Sequence, residues 1–180
     1  KILKLFNVEP ISHFWINDSR FTCATPTYAY KIGQKYKIYA PYEEEKKWFS
    51  NTCSTQIQGE HMLAESEETL IITSSLKDAM CLYSFGISAI AFQSELTMPD
   101  EDTINKLKSC YKKLLVFYDN DFDKEENPGQ TMAKKICDKY NLDNICIPIE
   151  YSSKDISDFI RNGHKMENII NYINNAKKKT

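Results

Sequence analysis

Long apolar runs are missing from this 180-residue chain. The longest candidates, residues 69–73 and 87–92, fall far short of the roughly 20 residues a membrane helix needs, so a soluble protein with no membrane partner is expected. Arginine is nearly absent: of 23 Lys and Arg residues only Arg20 and Arg161 are arginines. Together with abundant Ile, Asn and Tyr, that bias reads as A/T-rich codon usage rather than as chemistry. The six cysteines form no Cys-x-x-Cys pair and have no His at ligand spacing, which argues against zinc. Cys81, Cys137 and Cys146 stand in apolar periodic segments, as small buried hydrophobes of a reducing compartment do. An intracellular location is therefore expected. Neither sign of charge dominates, with 23 basic against 25 acidic residues and a net charge of −2. There is no internal repeat and no low-complexity segment, and the first residue is Lys1 rather than Met, as in a piece of a longer protein.

What is present is enough apolar material for a core, 42% of residues, with 27% charged. The front of the chain, residues 1–65, carries short aromatic and β-branched segments at 21–24, 28–32, 35–39 and 48–51. Turn formers such as Thr25-Pro26, Gly33-Gln34 and Pro41 separate them. A small antiparallel β subdomain is predicted there, with Lys31, Lys35, Lys37, Lys46 and Lys47 set among Tyr30, Tyr36, Tyr39 and Trp48. From residue 66 to 163 the pattern alternates: strand 69–73, helix 77–85 ending at Gly86, strand 87–92, a helix opened by Pro99, strand 114–118, helix 129–140, strand 144–149. Such alternation predicts an α/β fold with a mainly parallel four-stranded sheet flanked by helices. Two further helices, 155–161 and 166–175, lead to a Lys177-Lys178-Lys179 tail, with residues 164–180 read as a C-terminal helix and solvated end.

Ligands of parallel α/β sheets sit outside the carboxyl ends of the strands, and each predicted strand delivers an acid there. Strand 114–118 runs into Asp119-Asn120-Asp121. Residues i and i+2 of an extended segment point the same way, so two carboxylates can converge on one hard cation. Strand 69–73 is followed by Ser74-Ser75-Leu76-Lys77-Asp78, where Asp78 also suits a first helical turn. Gln93-Ser94-Glu95 follows the next strand, and Ser153-Lys154-Asp155-Ile156-Ser157-Asp158 the last, with Asp155 placed to cap a helix. Together these acids predict a cluster that repels itself without bound cations.

Residues 68–162 resemble a Toprim domain, the catalytic module shared by bacterial-type primases, topoisomerases and some nucleases. Asp119 and Asp121 fall on its Asp-x-Asp motif, and Asp78 on the acid four residues after the family glutamate. Gly129 and Ala133 resemble the small-residue helix that follows, and Lys154-Asp155…Asp158 a Lys-Asp-x-x-Asp element. The front segments, Tyr30-Lys31-Ile32, residues 35–42 and residues 47–51, resemble the basic β subdomain that precedes Toprim in primase catalytic cores, phage-type and bacterial-type. The resemblance implies catalytic roles for Asp78, Asp119 and Asp121, with Lys77 beside them, and strand-end geometry adds Glu95. The resemblance also implies Mg²⁺ or Mn²⁺ on Asp119, Asp121, Asp78, Asp155 and Asp158. Template and nucleotide contacts would come from Lys31, Lys35, Lys37, Lys47, Trp48 and Lys154.

On this resemblance the expected function is a DNA primase core that makes short RNA primers on single-stranded DNA. It would use ribonucleoside triphosphates and work with a replicative helicase in cis or in trans, in a host cytoplasm if phage-encoded or in an organelle nucleoid. One departure stands out: Ser74 and Ser75 replace the family's glutamate-glycine, and Glu95 is the candidate relocated acid. A Toprim nuclease and a non-catalytic nucleic-acid-binding module are the alternatives.

Overall fold

A computed structural model describes residues 1–63 and 67–177. The chain divides into two compact units, Lys1–Gln56 and Ile57–Thr180. The boundary expected between residues 65 and 66 lies outside the described residues, as do Lys178 and Lys179 of the tail.

The first unit begins with a short helix, α1 (Ile2–Leu5), and is otherwise one antiparallel sheet of β1 (Val8–Ile16), β2 (Ser19–Ile32), β3 (Lys35–Tyr39) and β4 (Trp48–Ser50), in that order. β1 was not anticipated from the sequence. Its pattern is mostly polar or half-exposed, and only Val8 is fully buried, so the apolar alternation that marks a strand is weak. The expected turn at Thr25-Pro26 is also corrected: segments 21–24 and 28–32 are one continuous strand. The register explains how β2 accommodates a proline. Ile11 pairs with Thr27 and His13 with Thr22, so residues 23–26 bulge opposite Ser12. Pro26 therefore stands where no ladder N–H is required. Gly33, at φ +62°, makes the tight turn from β2 to β3.

In the second unit, β5 (Glu67–Thr73), α2 (Leu76–Tyr83), β6 (Ala89–Ala91), α3 (Glu101–Cys110), β7 (Tyr111–Phe117), α4 (Pro128–Tyr140) and β8 (Asp143–Asn144) build a parallel sheet in the order β6-β5-β7-β8. Helices α5 (Ile156–Arg161) and α6 (Met166–Lys177) complete it. Leu70, Ile71 and Ile72 of β5 and Leu115 and Val116 of β7 are wholly buried, as central parallel strands covered on both faces must be. Each such side chain stabilises the unit by roughly 1.5–3 kcal/mol. Leu70, Ile72, Leu114 and Val116 meet Ile104 and Leu107 of α3 and Ala133 and Ile136 of α4.

The crossover from β5 through α2 to β6 runs toward one edge of the sheet, and the next runs back across β5 to β7. Right-handed crossovers in opposite directions put α2 on the face opposite α3 and α4. The strand order thus reverses beside β5, which opens a crevice at the carboxyl ends of β5 and β7.

The expected fourth strand, 144–149, shrinks to the two residues of β8. Beyond Ile145, whose N–H still reaches Val116 O at 2.9 Å, Pro148 has no N–H to give and the chain turns through a 3-10 segment at Ile149–Tyr151. Helix α3 starts at Glu101, one residue after Asp100, whose carboxylate caps it by accepting from Thr103 N at 2.7 Å. Pro99 lies just outside that helix. All six cysteines are free, but only Cys137 is buried, and Cys53 is exposed. The reading of Cys81 and Cys146 as core hydrophobes is corrected to half-buried positions.

Candidate active site

The β5–β7 crevice is where the acids gather. Asp78, Asp119 and Asp155 each place a carboxylate oxygen within 4.8 Å of the others. Their positions follow from local chain geometry. Ser75, in extended conformation two residues beyond β5, holds the N-cap position of α2 without a side-chain capping bond, which sets Asp78 in the first helical turn facing back toward the strand end. Asp119 stands two residues beyond β7. Asp155 caps α5 by accepting Asp158 N at 2.7 Å, so the capping role expected for it holds while its other oxygen stays in the cluster.

Asp78 and Asp155 are almost sealed from solvent, at 2% and 5% exposure. Both are heavily hydrogen-bonded. Asp78 accepts from Ser157 N at 3.0 Å, from the Ser157 hydroxyl and from the Ser75 hydroxyl. Lys77 extends its ammonium into the group, 2.8 Å from Asp155 Oδ2, 2.8 Å from Ser157 Oγ and 3.3 Å from both Asp78 oxygens. Ser74 donates its hydroxyl to Asp119 Oδ1.

The electrostatics follow from crowding. Burial, and then the charge of Asp78, push the Asp119 carboxyl up to about 7, against the Ser74 hydrogen bond that lowers it. Burial also presses on Lys77 and Asp155, in each case toward the neutral form. The charges of Asp78 and then Asp155 outweigh it at Lys77, raising that ammonium above the ordinary lysine range, and the charge of Lys77 outweighs it at Asp155, lowering that carboxyl below the usual carboxylate value. Lys154 approaches Asp119 Oδ2 at 3.9 Å, and its carbonyl accepts Asn120 N at 2.8 Å, tying the α5 loop to the end of β7.

Asp121 does not join the three. The i, i+2 argument assumed continued extension, but β7 ends at Phe117 and the chain turns, with Phe122 N reaching Asn120 O at 2.8 Å. Asp121 is instead buried beside Lys124, with Nζ at 2.8 Å. Glu95 is half-buried near the start of α4, and burial, followed by the charge of Asp121, raises its carboxyl pKa. Asp158 pairs with Arg161 at 2.9 Å. Burial and then Asp155 raise its pKa against that arginine.

Gly129, in the first turn of α4, has a purely steric role: a Cβ there would lie 2.6 Å from Asp119 O and 3.2 Å from Glu95 Oε2. Sequence reasoning assigned no role to the donors that fix this geometry, namely Ser75, Ser157, Asn127 and Gln130. The Asn127 amide bridges Asn120 and Asp121 N, and Gln130 Nε2 donates to Tyr118 O at 3.0 Å and Asp119 O at 3.1 Å. Ser157, two residues after Asp155 in a loop-to-helix segment, was the one whose spacing offered a signal.

In the first unit the predicted lysines divide between the faces of the sheet. Lys37 lies opposite Tyr30 and Lys35 opposite Ile32, whereas Lys31 pairs with Tyr36 in the intervening register and points to the other face. Lys31, Lys35 and Lys47 are exposed. Trp48 keeps 36% of its surface in solvent, stacks on Tyr39 with centroids 4.1 Å apart and carries the Lys37 ammonium 4.3 Å over its ring. Burial lowers the Lys37 pKa to about 8.

No protein-family model matches the sequence, and no curated protein matches it significantly. Solved structures do match. The catalytic core of the DnaG primase superposes with a TM-score of 0.70 at 12% identity, covering 92% of this chain and 66% of that one. This chain has the fold of a DNA primase catalytic core. The primase fragment of the bacteriophage T7 primase-helicase gives a TM-score of 0.62 at 12% identity, over 93% of this chain and 68% of that one. A DnaG primase catalytic domain solved with single-stranded DNA gives 0.59 at 15% identity, over 93% and 62%. The chain thus spans about two thirds of the length of these primase structures, and the expected architecture, a Toprim-type parallel sheet preceded by a separate antiparallel sheet, is present. Among the described residues no helix is long and apolar enough to cross a membrane.

Proposed function

We propose that the chain is the core of a DNA primase, joining ribonucleotides into short primers on a single-stranded DNA template by metal-dependent nucleotidyl transfer. The observation that carries this reading is the triad of buried Asp78 and Asp155 with half-buried Asp119, at the switch point of a sheet with the primase fold. The donor set fits a metal. It is made of carboxylate oxygens alone, as Mg²⁺ and Mn²⁺ prefer over softer ions, and three such groups converge within 4.8 Å. A divalent cation held there supplies charge neutralisation for a triphosphate and for the oxygen that attacks it.

The chain's own residues do the positioning. Asp119 presents Oδ2 to the crevice, while Asp78 and Asp155 are held rigid by Ser157, Ser75 and the start of α5. Lys154, with 43% of its side chain exposed, is the cation placed to meet a phosphate. Asp121, Glu95 and Asp158 are acids outside the triad, with Asp121 paired to Lys124 and Asp158 to Arg161. In the first unit, the Trp48 face is the stacking platform for a template base, with Lys35, Lys37 and Lys47 as phosphate contacts; Lys31 serves phosphate from the opposite face. A replicative helicase is the expected partner.

Incubating the protein with ribonucleotides, a labelled single-stranded template and Mg²⁺ or Mn²⁺, beside Asp119→Asn, tests the proposal. Oligoribonucleotide product lost in the variant supports it. Shortened template would instead establish a nuclease. Template binding without turnover would establish the non-catalytic reading, which Ser74, lacking a carboxylate, favours over hydrolysis.

A further inference from the structure

The cluster contains its own cation. Lys77 Nζ lies within 3.3 Å of Asp78 and 2.8 Å of Asp155, and Ser157 Oγ fixes it from a third side at 2.8 Å. Two of the three carboxylates are thus already in contact with that ammonium, and the third is not.

The hydrogen bonds show which side is taken. Asp155 spends Oδ1 on Asp158 N and Oδ2 on Lys77. Asp78 gives Oδ1 to Ser157 and Oδ2 to Ser75, with Lys77 straddling both oxygens. Asp119 gives Oδ1 to Ser74, and among the described residues its Oδ2 has no hydrogen bond, the ammonium of Lys154 standing 3.9 Å away. Asp119 is also the most exposed of the three, at 17% of its side chain against 2% and 4%.

We propose that the Lys77 ammonium is a resident cation of this site, fixed across Asp78 and Asp155, so that the cluster takes one divalent ion, seated on Asp119, instead of two. A second divalent ion on the Asp78–Asp155 edge would stand in contact with an ammonium, and the like charges would repel. It would also have to displace three hydrogen-bonding partners from Lys77. Lys77 acts as a positioning residue: it sets the number and seat of the ions and touches no substrate atom. The inference rests on the reading of the cluster as a metal-holding site.

Mn²⁺ titration of the full chain, followed by electron paramagnetic resonance, tests it. One bound Mn²⁺ per wild-type chain with an uncoupled spectrum is expected, lost in Asp119→Ala. Lys77→Met, which leaves three carboxylates without a resident charge, is expected to bind two ions with the exchange-coupled spectrum of a close pair, and Lys77→Arg to return to one. If Lys77→Met folds only with metal, recovery of its circular dichroism signal should require two equivalents. Two ions on the wild type, or one on Lys77→Met, overturn the inference and leave the metal reading standing. No Asp119-dependent Mn²⁺ binding by the wild type overturns the metal reading itself.

Discussion

Replacing Asp119 by Asn should make the metal-free protein more stable while abolishing its chemistry. In the fold, burial and the Asp78 charge hold the Asp119 carboxyl at about 7; in the unfolded chain an aspartate titrates near ~3.9. Between these values the folded protein binds more protons than the unfolded one, so stability falls as pH rises through that window and stays low above it. The full difference is about 4 kcal/mol, of which about 2–3 kcal/mol develops between about pH 5 and about pH 8. Asn keeps the side-chain shape and an acceptor for the Ser74 hydroxyl, and it has no charge to bury.

Urea unfolding in chelator should therefore show Asp119→Asn more stable than wild type by about 2–4 kcal/mol near pH 8, a melting rise of roughly 5–15 °C. That margin should shrink by about 2 kcal/mol near pH 5. Saturating Mg²⁺ should reverse the order, because only the wild type gains from binding it. A margin that does not change with pH, or a variant less stable than wild type in chelator near pH 8, would refute the claim that this carboxylate is buried against its charge.

Five further outcomes are expected. Gly129→Ala forces a Cβ to within 2.6 Å of Asp119 O; it should cost about 1–3 kcal/mol in denaturant melts and lower the proposed primer synthesis by displacing the Asp119 backbone. Ser157→Ala deletes the hydroxyl shared by Asp78 and Lys77 and should destabilise by about 1–2 kcal/mol, seen as a lower urea midpoint at unchanged slope. Trp48→Ala should weaken single-stranded template binding by about 1–3 kcal/mol if a base stacks there. Lys37→Ala should reduce the salt slope of binding by about one, and since Lys37 loses its proton near 8, wild-type binding should weaken as pH rises past that value; fluorescence anisotropy reads all three, and binding indifferent to these changes would remove this face from the template path.

Much of the second unit was legible before the structure because its elements are specified locally. The apolar runs around Leu70–Ile72 and Leu114–Val116, the four-residue spacing of Met132, Ile136 and Tyr140 and the left-handed Gly86 all act within a few residues. The first unit was read less well. β1 lacks an apolar stripe, and the Pro26 bulge depends on register with a distant strand, which no local pattern encodes. Strand 144–149 failed for a similar reason: an edge segment with Pro148 has little to pair with beyond Asn144.

The same division runs through the site. By itself the sequence determined that acids stand just beyond strand ends and that a lysine-rich aromatic β segment precedes them, because strand periodicity and helix starts are short-range properties. Only the tertiary structure decided which acids meet. Asp119 pairs with Asp78 and Asp155, 41 and 36 residues away in the chain, rather than with Asp121 two residues away, because β7 stops before the Asp-x-Asp and the switch in strand order brings three loops to one point. Lys77 illustrates the limit most sharply. In sequence it stands beside the candidate catalytic acids; which carboxylates its ammonium meets appears only when Asp155 and Ser157, carried in by α5 from the far end of the unit, close around it.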